Sequence, residues 1–203
     1  METLTAAEAG KEEEGSEFII NPVINGEFIS IKNFKNMYKQ HLIDNIEKEI
    51  NICRRLYTKI PASKIDFRPK EGLRSILELL RYLTIVGSAM PIYWLKNDDT
   101  EFYTFFGIID KASKTMPHER FLTAMDEQMA TIRDLFDQIS EDDLINKEVV
   151  YPWGGKAPMG EAIMATSIKF LTGYKLQLFL FIKLCDDQKL NTDDAWFLSD
   201  LTL

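Results

Sequence analysis

Apolar residues recur at alternating intervals of three and four along four stretches of this chain, whereas the interval of two that marks a half-buried strand is almost absent. The first stretch runs from about Ile31 to Ile60, where Ile43, Ile46, Ile50, Cys53, Tyr57 and Ile60 form one stripe before Pro61 ends it. In the second, Ser75 and Glu78 have the spacing of a capping box, and Leu79, Tyr82, Val86, Met90 and Tyr93 carry the stripe towards a stop at Asn97-Asp98-Asp99. The third starts near Pro117 and contains Leu122, Met125, Met129, Ile132, Phe136 and Ile139. The fourth, from Pro158 to Leu184, places Ile163, Ser167, Phe170, Tyr174, Gln177, Phe181 and Leu184 on its innermost line. The pattern predicts an all-α fold, most simply a four-helix bundle with long connections.

Two connections are long. EFYTFFGIIDKASKTM is rich in aromatic residues but has no clean period, which suits a partly packed crossover, and SEDDLINKEVVYPWGGKA reads as a loop. Trp153 beside two glycines in that loop is placed either as a flat lid over the mouth of a bundle pocket or as a plug that closes the core. The C-terminal DDAWFLSDL should fold back, because Trp196 and Phe197 would otherwise be exposed.

The fourth helix raises the chemical question. Ser167, Tyr174 and Gln177 sit at the middle of its inner line, and each buried hydroxyl or amide left unpaired costs about 1–3 kcal/mol. They must pair with one another, with water or with a ligand, so the helix lines either a satisfied core or a polar pocket. Met164, Ile168, Leu171, Leu178 and Ile182 make a neighbouring apolar line, and Leu176 and Leu180 another. A helix apolar over more than one face calls for cover by the C-terminal segment, a second copy of the chain, or both.

Charge and termini narrow the partners. The 203 residues contain 24 Lys and Arg against 32 Asp and Glu, a net charge of −8 that repels phosphate backbones and anionic lipid. Neither nucleic acid nor a membrane is expected as a partner. The apolar run Ile168 to Leu184 is interrupted by Lys169, Lys175, Gln177 and Lys183, which argues against a membrane span. METLTAAEAGKEEEGSEF has neither the basic region nor the apolar run of a secretory signal, so residues 1–26 are expected as a flexible acidic tail, residues 27–203 as the bundle with a short C-terminal extension, and the cytoplasm as the location. Cys53 and Cys185 are too far apart in sequence for a zinc knuckle or a redox motif. The acidic pairs Asp98-Asp99, Asp142-Asp143, Asp186-Asp187 and Asp193-Asp194 fall at expected helix ends, as capping or turn groups do.

RSILELLRYL after RPKEG, with PWGGKAPMGEAIMATSIKFLTGYKLQLFLFIKL much later, resembles the DinB and YfiT-like superfamily of bacterial four-helix bundles over residues 31 to 185. The resemblance implies a bundle that in metal-binding members holds a divalent ion on three histidines, one on the second helix and an H-x-x-x-H pair on the last. Matched residue by residue, those positions are Tyr82, Phe170 and Tyr174. Phenylalanine has no donor atom, and a tyrosine with an ordinary pKa of about 10 is a poor ligand at neutral pH. The only histidines, His41 and His118, fall on the first helix and at the start of the third. No metal and no cofactor is expected. The resemblance therefore implies a homodimeric small-molecule-binding or structural protein, its pocket at Tyr82, Phe170 and Tyr174 with Ser167, Gln177 and Trp153 lining it. The alternative is a transferase or hydrolase that acts with a thiol cosubstrate at the same pocket, with Tyr82 or Tyr174 as acid or base.

Overall fold

Amphipathic helices supply almost all of the regular structure in a computed structural model, which describes residues 23–24, 27–28, 31–96, 98–185 and 190–197, with the side chains of 31–36 excepted. The chain forms two compact units, residues 1–35 and 36–203. In the first, β1 (Val23–Ile24) pairs antiparallel with β2 (Glu27–Phe28). The rest of the expected acidic tail lies outside the described residues. Helix α1 (Ile31–Tyr57) is followed by α2 (Ile76–Val86), α3 (Ala89–Leu95), α4 (Phe102–Ser113), α5 (Phe121–Asp137) and α6 (Glu141–Asn146). A hairpin of β3 (Glu148–Val150) and β4 (Lys156–Pro158) then leads into α7 (Met159–Ile163), a π turn (Met164–Ile168), α8 (Lys169–Cys185) and α9 (Thr192–Trp196). Residues of α1, α2, α5, α7 and α8 make the core, which includes Ile46, Ile50, Leu56, Leu79, Leu83, Phe121, Phe136, Leu171 and Leu178.

Three segments differ from their expected form. The second helix is divided at Gly87 because the Gln128 side chain inserts from α5: its Nε2 donates to Leu83 O at 3.0 Å and its Oε1 accepts from Gly87 N at 2.9 Å. That amide takes the carbonyl and N–H that an unbroken helix would pair with each other. The aromatic crossover is the regular helix α4, started by Glu101, whose carboxylate accepts from Tyr103 N and Thr104 N. The loop before the last helix contains α6, capped reciprocally by Ser140 and Asp143, and the β3–β4 hairpin, whose tip uses Gly154 and Gly155 at positive φ. The capping box at Ser75 and Glu78 is present as the spacing predicts.

The π turn has the largest consequence. Lys169 N donates to Met164 O, five residues back, while Thr166 Oγ1 donates to Ala162 O at 2.7 Å and competes for a carbonyl where the turn begins. One extra residue is taken up, and everything beyond it rotates by about 100° relative to an unbroken helix. The inner line therefore runs Ile163, Ser167, Leu171, Lys175, Leu178, Ile182 and Cys185, all buried. Each position after the turn is one later than the expected Phe170, Tyr174, Gln177, Phe181 and Leu184. Of these, Phe170, Tyr174 and Gln177 are half-buried, Phe181 stays buried beside the line, and Leu184 is 66% exposed.

Lys175 thus enters the interior with no exposed surface. Its Nζ lies 2.8 Å from Glu49 Oε2 of α1, a charge contact without the alignment of a hydrogen bond, and 4.3 Å from the ring centre of Trp196 on α9. Arg55 holds α9 in place, through Asp194 at 3.0 Å and Phe197 O at 3.0 Å, so the described part of the C-terminal segment folds back as expected. Burial first, then the Glu49 carboxylate, pushes the nearby Cys53 thiol well above its ordinary range, against the opposing effect of Lys175. Among the described residues one stretch, Ile76–Leu95, is long and apolar enough to cross a membrane, but 61% of its most apolar window is buried inside the protein.

Close packing is uneven along the last helix. A Cβ at Gly160 would lie 2.6 Å from Tyr38 Cε1 and 2.9 Å from the Leu144 carbonyl oxygen, whereas one at the exposed Gly173 would meet nothing within 4 Å. Gly173→Ala should stabilise the protein by about 0.5–1 kcal/mol, the ordinary helix gain, and Gly160→Ala should reverse the sign and cost about 1–3 kcal/mol in urea unfolding. Lys175→Met should cost about 3 kcal/mol by leaving Glu49 uncompensated, and adding Glu49→Leu should recover most of that loss. Equal stability of Lys175→Met and the parent would show that the pair is not closed in solution.

Candidate functional site

The seam between α2 and α4 is where the half-buried aromatic residues gather. Tyr82 on α2 packs edge-on against Phe106 of α4, ring centres 6.1 Å apart, and against Tyr174 of α8 at 4.7 Å with an interplanar angle of 70°. The rotation after the π turn places Phe170 and Tyr174 at this edge of the core rather than on its axis. A cavity of about 240 Å³ opens here, lined by Tyr82, Val86, Met90, Phe106, Trp153 and Phe170 among others. Its wall is apolar, and what enters it is chosen by shape and by apolar contact.

The β3–β4 hairpin positions Trp153. Gly154 and Gly155, with φ of 97° and 87°, let the chain reverse after Tyr151-Pro152-Trp153, and Tyr151 N donates to Gly155 O to close the tip. Trp153 stacks on Tyr151 at 5.2 Å and 14°, and lies 6.3 Å from Phe170 while remaining 56% exposed. Trp94 Nε1 donates to Val150 O at 3.0 Å, which ties the hairpin to α3. Trp153 is therefore a partly open cover at the cavity wall, the lid of the two roles considered for it, and not a core plug.

The six residues singled out from the sequence divide between two places. Tyr82, Phe170 and Trp153 line the same cavity, and Tyr174 stands directly behind Tyr82. Ser167 lies in the π turn, fully buried, and its Oγ has no hydrogen-bond partner among the described residues. Gln177 is half-buried and lines no part of this cavity. The polar cluster expected from Ser167, Tyr174 and Gln177 is thus not formed, because the extra residue of the π turn carries Tyr174 and Gln177 together off the line on which Ser167 stays.

Beyond those six, Arg74 and Arg81 lie beside Tyr82, outside the aromatic cavity, where the helical stripe gave no sign of them. Arg74 Cζ lies 4.1 Å above the ring centre of Tyr82 and 5.4 Å from that of Tyr174, and Arg81 Nε donates to Met116 O at 2.7 Å. Their only signal in the sequence is position: Arg74 precedes the capping Ser75, and Arg81 precedes Tyr82.

The site does not fit the metal that the resemblance implies. Phe170 has no donor, so the three positions supply at most the two phenol oxygens of Tyr82 and Tyr174. Burial, and then the neighbouring Tyr174, push the Tyr82 hydroxyl above its ordinary range, so it holds its proton, the opposite of what coordination requires. His41 is exposed on α1, and His118 Nδ1 is hydrogen-bonded with Tyr57 Oη at 3.2 Å before α5. Among the described residues no three His, Cys, Asp or Glu side chains are grouped to hold an ion. Compared with family models and with curated proteins, the sequence matches none.

Proposed function

We propose that this chain is a small-molecule-binding protein built on a DinB/YfiT-like four-helix bundle, with the aromatic cavity at Tyr82, Phe106, Trp153 and Phe170 as its binding site. The observation that carries the reading is the cavity itself: an apolar space of about 240 Å³ at the edge of the core, walled by rigid rings and covered by an indole on a short hairpin. The long helices α1, α5 and α8, with the α2–α3 pair between the first two, follow the expected order and support the bundle assignment. A general base is not favoured at this site, because the environment of Tyr82 holds its hydroxyl protonated.

The same reading makes the protein a homodimer through the outer face of α8. Leu180 and Leu184, one turn apart, are 48% and 66% exposed while α9 covers the helix near Lys175. A second copy of the chain offers the matching apolar face that closed two-fold symmetry requires. Light scattering on the eluting protein should give twice 23.5 kDa, and Leu180→Lys with Leu184→Lys should halve it. A parent protein that elutes as a monomer at all concentrations would remove this part of the reading.

Binding is tested with N-phenyl-1-naphthylamine, a neutral aromatic probe whose fluorescence rises on leaving water. One molecule should bind per chain, and Trp153→Ala or Phe170→Ala should weaken it about tenfold, as the loss of roughly 1.4 kcal/mol of aromatic contact requires. Absence of saturable binding, or full affinity in both variants, would exclude this cavity as the site.

A further inference from the structure

Tyr82 separates two unlike spaces along the α2–α4 seam. On one side is the aromatic cavity. On the other is a space of about 300 Å³ lined by Arg74, Arg81 and Lys114 together with Glu78 and Asp110. The two carboxylates already have partners: Glu78 pairs with Arg68 at 2.9 Å and accepts from Ser75 N, and Asp110 pairs with Lys114 at 2.7 Å. Among the described residues no carboxylate pairs with Arg74 or Arg81.

Two guanidinium groups without an ion-paired carboxylate, beside a Glu78 that feels the Arg74 charge and an Asp110 paired to Lys114, are a local excess of positive charge in a chain of net charge −8. Arg74 Cζ lies over the Tyr82 ring and its N–H groups make no hydrogen bond among the described residues, and Arg81 spends only Nε on the Met116 carbonyl. Edge-on N–H groups of arginine match the oxygens of a carboxylate, sulfonate or phosphate, and do so far better than a point charge would. From the turn of Glu78 to the turn of Val86 is eight residues of helix, about 12 Å, so head and body of one small molecule span both spaces.

We propose that the occupant of the Tyr82 site is an amphipathic anion, its aromatic or alkyl body between Tyr82, Phe106 and Phe170 and its anionic head on Arg74 and Arg81. The proposal rests on the small-molecule reading of the same cavity and adds the chemical class of the ligand. Tyr82, kept as a neutral phenol between the two spaces, places no competing negative charge beside the head group.

A matched pair of probes separates the two claims. N-phenyl-1-naphthylamine and 8-anilino-1-naphthalenesulfonate share the same ring system, and only the second carries an anion. In 50 mM salt the sulfonate should bind the full chain about tenfold more tightly than the neutral probe, and the advantage should shrink as salt is raised, because partly exposed charges are screened. Arg74→Gln and Arg81→Gln should each remove most of that advantage and leave the neutral probe within about twofold of the parent, while Arg74→Lys should retain part of it. Unchanged neutral-probe binding certifies that the variants are folded. Displacement of the sulfonate by octanoate or octyl phosphate, but not by octanol, supports the proposal, and the better competitor identifies the head group. If the neutral probe binds and the sulfonate binds no more tightly, or octanol competes as well as either anion, the anionic class is overturned and the cavity stands. If neither probe binds, the small-molecule reading falls with it.

Discussion

Which side chains the last helix sends inward is decided by one extra residue in the π turn at Met164–Ile168. Without it, Phe170, Tyr174 and Gln177 would point to the axis of the helical core. With it, Leu171, Lys175 and Leu178 do, and the aromatic residues move to the edge. The burial of Lys175 follows directly, and with it the Glu49 contact to α1 and the Trp196 cover supplied by α9. A buried ammonium without a carboxylate is strongly unfavourable, so α1, α8 and α9 must assemble together around this position.

The same rotation creates the candidate site. Displaced from the axis, Tyr174 meets Tyr82 of α2, which in turn meets Phe106 of α4, while Phe170 lines the cavity and the β3–β4 hairpin brings Trp153 against it. The break in the second helix contributes as well, because the Gln128 amide redirects the chain after Val86 and lets Met90 line the cavity from α3. What results is aromatic where the resemblance implies metal ligands. In the proposed ligand site, shape and apolar contact would select at one end and guanidinium groups at the other, with a neutral Tyr82 between them.

Much of the helical content was legible because burial of one face imposes an interval of three and four residues, and α1, α2, α5 and α8 carry that interval. The Ser75–Glu78 box was equally legible, since capping needs only residues three apart, whereas the Ser140–Asp143 box and its short helix α6 were read as loop. Helix α4 was not, because its rings face three different neighbours and leave no clean stripe. The β3–β4 hairpin was hidden by its length of three residues a side. Of the site, Tyr82, Phe170 and Trp153 could be named from motif position and composition, whereas Arg74 before the helix cap and Arg81 within the helix could not, as an arginine is ordinarily solvated in either place.

The sequence by itself determined the class of the fold, the approximate extent of the long helices and the aromatic character of Tyr82, Phe170 and Tyr174. Those features depend on local periodicity and residue identity, which the chain carries in one dimension. Tertiary structure alone decided that the last helix gains a residue at Thr166, that Lys175 and not Tyr174 faces α1, and that two arginines share a space beside Tyr82. The physical reason is that a single π hydrogen bond changes helical phase by about 100° without leaving a mark in composition. Every inward and outward assignment beyond that bond depends on it.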